Sequence, residues 1–237
     1  MSEALPPVVV LAGGLATRMR PMTERIPKAM IEVAGEPFVA HQLRKFAREG
    51  ASRVVLCVGY LWEQIRDFVG DGAAFGLEVE YALDGPKLLG TGGAIRQALP
   101  RLGQEFIVTY GDSWLDEPYA PIADAFRQSG APALMTVYRN EGRWDTSNVV
   151  YVDGRVIRYS KRERLPAMHY IDWGLQVMTA PVVAARPEGE AWDLAEELER
   201  LSLEGRLAGY EVKTRFYEIG SPDGLREADA LLRGAPG

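Results

Sequence analysis

The chain has 237 residues, of which 47% are hydrophobic and 25% are charged, and its formal net charge is -6. This length is enough for one large α/β domain or two closely joined lobes with a sizeable core. The acidic balance argues against a nonspecific nucleic-acid binder, because such proteins neutralise phosphates with a cationic surface.

The single cysteine, Cys57, lies in an apolar run. Because the chain has one cysteine, an internal disulfide and a cysteine zinc cluster are excluded. The N-terminus has neither the basic nor the apolar segment of a signal peptide, and no run approaches the ~18 apolar residues that a membrane span needs. The sequence therefore predicts a cytoplasmic protein with no membrane association.

The first predicted element is a buried strand, Val8 to Leu11, which stops at Gly13-Gly14 and is followed by the cations Arg18 and Lys28. Glycines let backbone N–H groups approach a ligand closely, and cations beyond them can neutralise a polyphosphate. The pattern indicates a phosphate-binding loop at the edge of a sheet. The loop lacks the third glycine of the dinucleotide fingerprint and the Gly-Lys-Ser/Thr end of a P-loop, so an ordinary turn with surface arginines is the alternative.

The next elements alternate between helix and strand. Apolar residues at helical spacing predict a helix over residues 37–50, then a strand from Arg53 to Val58, a short helix from Trp62 to Val69 and a strand from Leu77 to Leu83. This alternation favours parallel pairing in an α/β sheet.

A second glycine-rich loop runs from Asp84 to Ala94, before a helix predicted from Ala94 to Leu99. In a parallel sheet the loops at the carboxyl ends of the strands gather at one crevice, so this loop would face the first one. The alternative is a plain helix start with tolerant glycines.

A fourth predicted strand, Phe106 to Tyr110, leads to Asp112. Mg²⁺ usually binds through one or two carboxylates plus substrate oxygens, which makes Asp112 the first metal candidate. The alternative is an aspartate that caps the following turn.

The second half of the chain is richer in antiparallel strands. Strands are predicted there at Ala133 to Tyr138, Val149 to Val152, Val156 to Tyr159 and Tyr170 to Met178, and a further short strand is predicted from Tyr210 to Lys213. Asp153-Gly154 predicts a hairpin turn, and Ser221 is expected to cap the final helix. We expect a single domain over residues 1–237, with halves of about residues 1–130 and 131–237.

Several motifs agree at fixed spacings with one family. They are Gly13-Gly14-Leu15-Ala16-Thr17-Arg18, Pro21-Met22-Thr23, Pro27-Lys28, Leu89-Gly90-Thr91-Gly92-Gly93, Gly111-Asp112 and Glu218-Ile219-Gly220-Ser221-Pro222. Over nearly its whole length the chain resembles the sugar-1-phosphate nucleotidylyltransferases, or nucleotide-sugar pyrophosphorylases. It looks most like the short bacterial guanylyltransferases that act on heptose or mannose 1-phosphates. The resemblance implies a three-layer α/β/α fold, a Rossmann-like mixed sheet with a smaller sugar-binding lobe in the second half.

The reaction implied is attack of a sugar 1-phosphate on the α-phosphorus of a nucleoside triphosphate, with pyrophosphate leaving. Such a transfer depends on positioning and on stabilising charge on phosphate oxygens. By the resemblance, Arg18 would hold the β- and γ-phosphates and Lys28 the α-phosphate. Mg²⁺ would bridge the triphosphate to Asp112 and Glu218.

The resemblance also implies two sets of binding residues. The nucleotide set is Leu11, Ala12, Gly13, Gly14, Thr17, Gly90 and Thr91. The sugar-phosphate set is Asn148, Lys161, Asp172 and Gly174, for which strand residues that face solvent are the alternative. Three residues depart from the family pattern: Ala16 replaces a glycine and would hold a strained left-handed backbone, Glu218 replaces an aspartate, and Ser160 replaces an acid.

The runner-up function is a regulatory protein that keeps the fold and senses a nucleotide sugar without making one. The combination of Arg18, Lys28 and Asp112 favours the enzyme, because a sensor has no need of all three. The sequence leaves open the base, the sugar and whether the chain forms a homo-oligomer.

Overall fold

The structure is a computed structural model that describes residues 4–14, 16–85 and 87–234, except for the side chain of Arg18. Its strands are β1 (Val8–Leu11), β2 (Glu32–Val33), β3 (Glu36–Pro37), β4 (Arg53–Val58), β5 (Glu78–Leu83), β6 (Glu105–Tyr110), β7 (Ser113–Trp114), β8 (Ala133–Arg139), β9 (Val149–Val152), β10 (Arg155–Tyr159), β11 (Tyr170–Thr179), β12 (Leu207–Val212) and β13 (Tyr217–Glu218). Its helices are α1 (Phe38–Arg48), α2 (Trp62–Val69), α3 (Gly90–Ala98), α4 (Tyr119–Ser129), α5 (Ala180–Ala184), α6 (Leu194–Leu203) and α7 (Pro222–Gly234). One-turn 3₁₀ helices lie at Thr17–Met19, Met22–Glu24, Lys28–Met30, Ala73–Phe75 and Leu99–Arg101.

In the described part of the chain, nine strands form one sheet in the order β5-β4-β1-β6-β11-β8-β12-β10-β9. β1 pairs in parallel with β4 and β6, β4 with β5, and β8 with β12, whereas β11 runs antiparallel to both β6 and β8. β1, β4, β5, β6, β8 and β12 therefore all end at the same edge, which we call the carboxyl edge. Loops from both halves of the chain meet there.

Helices cover both faces of the sheet. Val8 and Val10 of β1 belong to one core with residues of α1, α2 and α4, whereas Val9 belongs to the other core with residues of α3, α5 and α6. Side chains alternate between the faces of a strand, so a strand buried on both sides is apolar throughout. This three-layer arrangement confirms the predicted fold class. In the ranges described, none of the helices combines the length and apolar content that a bilayer crossing requires.

The structure differs from the sequence prediction at two helices. No helix was predicted between residues 112 and 130, where α4 buries Tyr119, Ile122 and Phe126 and ends before Gly130, which has a φ of 64°. The predicted start of α3 at Ala94 was wrong, because the helix begins at Gly90. The glycines of the second loop therefore lie in the first turn of α3.

Two local predictions are confirmed. Asp153 and Gly154 have φ values of 45° and 80° and join β9 to β10 in an antiparallel hairpin. Oγ of Ser221 accepts a hydrogen bond from the N–H of Gly224 at 3.1 Å, which caps α7.

Candidate active site

The first loop leaves the carboxyl edge close to its neighbours. The N–H of Ala12 donates to the carbonyl of Cys57 at 2.8 Å, so the chain after β1 stays against the end of β4. A Cβ at Gly59 would lie 2.9 Å from the carbonyl oxygen of Gly13, and a Cβ at Gly13 would lie 3.3 Å from Oδ2 of Asp84. Glycine at these positions permits the close approach of three strand ends.

Ala16 has the left-handed backbone that its place in the motif predicts, with φ 48° and ψ 42°. An L-residue adopts this conformation at a cost of ~1–2 kcal/mol. Its carbonyl accepts a hydrogen bond at 2.8 Å from Oγ1 of Thr23, which is buried and holds the turn in place.

A cavity of about 250 Å³ opens at the ends of β1, β4, β5 and β6. Its walls include most of the predicted nucleotide set: Leu11, Ala12, Gly13, Gly14, Gly90 and Thr91. Thr17 instead lies exposed on the one-turn helix Thr17–Met19. The side chain of Arg18 lies outside the described residues, so its phosphate-binding role stays a prediction.

Lys28 and Asp112 form an ion pair in the wall of this cavity, with 2.8 Å between Nζ and Oδ2. Pro27, with an extended backbone, begins the turn that carries Lys28, and Asp112 follows β6. A Cβ at Gly220 would lie 3.6 Å from Nζ of Lys28 and 3.9 Å from Oδ2 of Asp112. The two side chains are 22% and 28% exposed, so the Lys28 ammonium is accessible to a phosphate and the Asp112 carboxylate is accessible to a cation.

β13 brings Glu218 next to Asp112. It pairs with β7 so that Glu218 lies opposite Ser113, and the N–H of Ile219 donates to the carbonyl of Asp112 at 2.9 Å. Within the described ranges, no three His, Cys, Asp or Glu side chains cluster as a metal cage. Mg²⁺ takes one or two carboxylates together with substrate oxygens, so the chemistry of Asp112 and Glu218 fits this ion. The metal-binding role of both residues stays a prediction.

The glycines in the first turn of α3 pack against the segment before α6. A Cβ at Gly92 would lie 2.3 Å from Cε3 of Trp192, and a Cβ at Gly93 would lie 2.5 Å from the carbonyl oxygen of Glu190. The N–H of Gly92 also donates to the carbonyl of Trp192 at 3.0 Å. These two glycines therefore permit a chain crossing, which the interpretation as a ligand loop did not include.

Asp193 joins the nucleotide set to the sugar-phosphate set. Its Oδ1 accepts a hydrogen bond at 2.8 Å from Oγ1 of Thr91 and one at 3.0 Å from the N–H of Ala195, which caps α6. Its Oδ2 lies 3.1 Å from Nζ of Lys161. The Thr91 hydroxyl also accepts a hydrogen bond at 2.8 Å from the N–H of Leu194, so the protein itself engages this side chain.

The other predicted sugar-phosphate residues lie where the start of β9 meets the first half of β11. Oδ1 of Asn148 accepts a hydrogen bond from the N–H of Asp172 at 3.0 Å. Oδ1 of Asp172 accepts from the N–H of Gly174 at 3.0 Å and from Nε2 of Gln176 at 2.8 Å. Gly174 has a φ of 96°, which glycine adopts without strain, where β11 shifts register against β8. The structure brings these residues together, and their sugar-binding role stays a prediction.

Ser160, which replaces the acid of the family pattern, is buried and shapes the turn at Lys161. Its Oγ accepts hydrogen bonds from the N–H groups of Arg162 at 3.2 Å and Glu163 at 3.0 Å. The hydroxyl therefore orders the backbone around the predicted phosphate-binding cation.

Tyr110, the last residue of β6, borders both sets of residues. It lines the cavity, and its Cδ2 would lie 3.7 Å from a Cβ at Gly174. Burial raises the pKa of its hydroxyl well above the usual value. The charges of four carboxylates raise that pKa further, namely those of Asp172, Asp193, Asp112 and Glu218. Because Tyr110 lines the cavity and its ring also lies beside Gly174, the predicted nucleotide and sugar-phosphate sets border the same space.

Asp172 makes stability depend on pH. Burial raises its pKa to about 6, although hydrogen bonds from Gly174 and Gln176 and the charge of Lys161 oppose the shift. The unfolded value is ~3.9, so the folded state binds more protons in this window and loses stability as the pH rises through it. We expect Asp172→Asn, which keeps an accepting oxygen, to be about 1–2 kcal/mol more stable than the wild type at about pH 7 and much closer to it at about pH 4. Urea unfolding of both proteins measures this difference, and a difference independent of pH would contradict the assignment.

Sequence reasoning missed two acids that carry recognisable signals. Asp84 follows β5 at the carboxyl edge, lines the cavity and accepts a hydrogen bond from the N–H of Leu89 at 3.3 Å, and burial raises its pKa. Its place after a strand is the same signal that selected Asp112. Asp193 directly precedes a helix with Leu194 and Leu198 on one face, which is the sequence signal of an N-cap.

The fold and the cavity at the carboxyl edge define the class of protein: an α/β protein with a candidate ligand site over the ends of parallel strands. The chain belongs to the nucleotidyl transferase family, whose sequence profile matches residues 7–232. The resemblance found in the sequence is thereby confirmed.

Two relatives and one solved structure illustrate the likeness. The chain is 28% identical over 243 residues to N-acetylmuramate alpha-1-phosphate uridylyltransferase of Caulobacter vibrioides, an alignment that covers 98% of this chain and 99% of that protein. It is 29% identical over 232 residues to mannose-1-phosphate guanylyltransferase of Mycobacterium tuberculosis, covering 95% of this chain but 64% of that protein. Its fold matches the structure of HddC from Yersinia pseudotuberculosis complexed with GMP-PN, with a TM-score of 0.80, 23% identity and coverage of 96% of this chain and 100% of that one.

Proposed function

We propose that the chain transfers a nucleoside monophosphate from a nucleoside triphosphate, preferably GTP, to a sugar 1-phosphate and releases pyrophosphate. One observation carries the proposal: Tyr110 lines the cavity that contains the Lys28–Asp112 pair, and its ring also lies beside Gly174 of the predicted sugar-phosphate set. Two phosphorylated substrates can therefore meet at one edge of the sheet. The names of both relatives also describe transfer to a sugar 1-phosphate.

In the proposed reaction, an oxygen of the sugar 1-phosphate forms a bond to the α-phosphorus. The bond from that phosphorus to the bridging oxygen breaks, and its electron pair leaves with pyrophosphate. Lys28, held 2.8 Å from Asp112, neutralises charge on the α-phosphate oxygens without rearrangement. Lys161 attracts the acceptor phosphate, and Asp172 accepts a hydrogen bond from a sugar hydroxyl. Mg²⁺ held by Asp112 and Glu218 would act as a Lewis acid on the triphosphate.

The preference for GTP rests on Asp84. The cavity also contains the apolar side chains of Leu88 and Ala94 and the thiol of Cys57, whose pKa is raised by burial and by the charge of Asp84. A carboxylate offers two accepting oxygens, and guanine offers two adjacent N–H donors. Uracil offers one N–H between two carbonyl oxygens, and a carboxylate repels these oxygens. The Asp84 carboxylate therefore favours guanine over uracil.

We expect Asp84→Asn to lower kcat/KM for GTP by about 10- to 100-fold, because hydrogen bonds to a charged group are worth ~1.5–3 kcal/mol. The value for UTP should not fall. Asp67→Asn, which changes an exposed carboxylate paired with Arg66 on α2, is the matched control and should leave both values unchanged. An equal loss with both nucleotides would remove Asp84 from base selection.

Pyrophosphate release, measured across nucleoside triphosphates and sugar 1-phosphates, tests the proposed function. Release that requires both substrates supports the proposal. Tight binding of a nucleotide sugar without release from any pair would refute the enzyme and favour a regulatory sensor. A requirement for Mg²⁺, a cytoplasmic location and a homo-oligomer stay predictions.

A further inference from the structure

Gln42 is a polar residue on the apolar face of α1. It is 3% exposed, and Val39, Leu43 and Phe46 on the same face are equally buried. Helical periodicity favours an apolar side chain at this position. Burying an amide costs free energy unless hydrogen bonds offset the lost hydration, so the contacts of Gln42 explain why an amide is tolerated there.

Nε2 of Gln42 donates two hydrogen bonds to one turn. The acceptors are the carbonyl of Tyr110, at 2.9 Å, and the carbonyl of Ser113, also at 2.9 Å. These carbonyls flank Gly111 and Asp112, so a single amide group spans the turn that presents the Asp112 carboxylate. Oε1 of Gln42 is buried with no partner among the described residues, so the favourable contacts of this amide are those of Nε2.

Two backbone hydrogen bonds complete the support of the turn. The N–H of Gly111 donates to the carbonyl of Leu11 at 3.0 Å, and the N–H of Ile219 donates to the carbonyl of Asp112 at 2.9 Å. The first joins the turn to β1, and the second joins it to the strand that carries Glu218. A side-chain substitution removes neither of them, whereas replacing Gln42 removes both bonds of the amide at once.

We propose that Gln42 is a positioning residue, which holds the turn from Tyr110 to Ser113 so that the Asp112 carboxylate stays at Lys28 and beside Glu218. The inference rests on the proposed function, because that function gives Asp112 its part in the transfer. Hydrogen bonds that hold a metal-binding side chain in its orientation are the relevant comparison. Their removal typically lowers metal affinity or activity by about 10- to 100-fold.

Gln42→Met is the direct test, since methionine is unbranched, fits a buried site and donates no hydrogen bond. Val69→Ala is the control, because it also weakens a buried helix residue, on α2, without touching the turn. Gln42→Asn, whose amide is one methylene too short, is a second variant that keeps the test open if the first does not fold.

The first measurement is amide hydrogen exchange. In both Gln42 variants we expect exchange at residues 110–114 and 217–220 to become about 10-fold faster or more, while the remaining chain changes little. In Val69→Ala, any faster exchange should not concentrate in these two segments. Exchange that rises evenly along the chain in the Gln42 variants would overturn the proposal.

The second measurement separates positioning from general destabilisation. We expect Gln42→Met to lower kcat by about 10- to 100-fold and to weaken binding of Mn²⁺ in the presence of GTP, measured by electron paramagnetic resonance, by about 10-fold. The KM for the sugar 1-phosphate should stay within about twofold. A wild-type kcat together with wild-type Mn²⁺ affinity would overturn the proposal. If the wild-type protein releases no pyrophosphate, the proposed function fails, and hydrogen exchange alone decides whether Gln42 holds the turn.

Discussion

Asp112→Asn is expected to lower kcat by about 1,000-fold or more while the protein stays folded. The carboxylate is 28% exposed and follows β6 outside the core, and asparagine is of nearly equal size. The variant loses the charge that pairs with Lys28 and the oxygens proposed to bind Mg²⁺. Pyrophosphate release at saturating substrates measures the loss, and circular dichroism checks the fold.

Asp116→Asn is the matched control for this substitution. Asp116 lies between β7 and α4, four residues after Asp112 in the segment that joins β6 to α4. Its side chain is 56% exposed, and its Oδ1 lies 3.5 Å from Nζ of Lys45. Its replacement should leave kcat within about twofold, since the Asp116 carboxylate faces water and Lys45 keeps its ion pair with Glu49 at 3.0 Å. Wild-type turnover in Asp112→Asn would remove Asp112 from the mechanism.

Lys28→Ala is expected to lower kcat by about 100- to 1,000-fold, with a much smaller change in the KM for the nucleoside triphosphate. Its ammonium is held in place by Asp112, so it can meet charge that develops on the phosphate oxygens in the transition state. Steady-state kinetics with varied triphosphate and saturating sugar 1-phosphate separates the two constants.

Lys213→Ala serves as the control for the loss of a positive charge, because Lys213 is exposed just beyond β12. It should leave both constants unchanged. A raised KM with an unchanged kcat in Lys28→Ala would show that Lys28 contributes binding alone.

The strands of the first half could be predicted because each is buried on both faces and therefore reads as an apolar run, as Arg53–Val58 does. α4 escaped prediction because Pro118 and Pro121 interrupt its start. Proline is tolerated there, since the N–H groups of a first turn have no helical partner to lose. The apolar spacing of Ile122 and Phe126 was the signal that remained.

The local motifs of the site could be predicted, whereas its distant partners could not. Lys28 and Asp112 are 84 residues apart in sequence and meet because β1 and β6 are neighbours in the sheet. Gln42 bonds to carbonyls 68 and 71 residues further along the chain. In the sequence it is a polar interruption of a helix face, and only the packing of α1 against the turn gives it a partner.

The glycines of α3 show a different limit of sequence reasoning. A glycine is required wherever another group approaches the backbone closely, whether that group is a ligand or protein. For Gly92 the neighbour is Trp192, whose ring would lie 2.3 Å from an added Cβ. The spacing of residues could not distinguish this contact from a phosphate or a base.

Attack by a sugar 1-phosphate at the α-phosphorus can be followed directly with GTP that carries radioactive phosphorus at the α position. With the acceptor that supports pyrophosphate release, we expect the label to enter a nucleotide sugar in an amount equal to the pyrophosphate formed. Label that stays in GTP, or that appears in GDP or GMP with no sugar attached, would contradict this reaction.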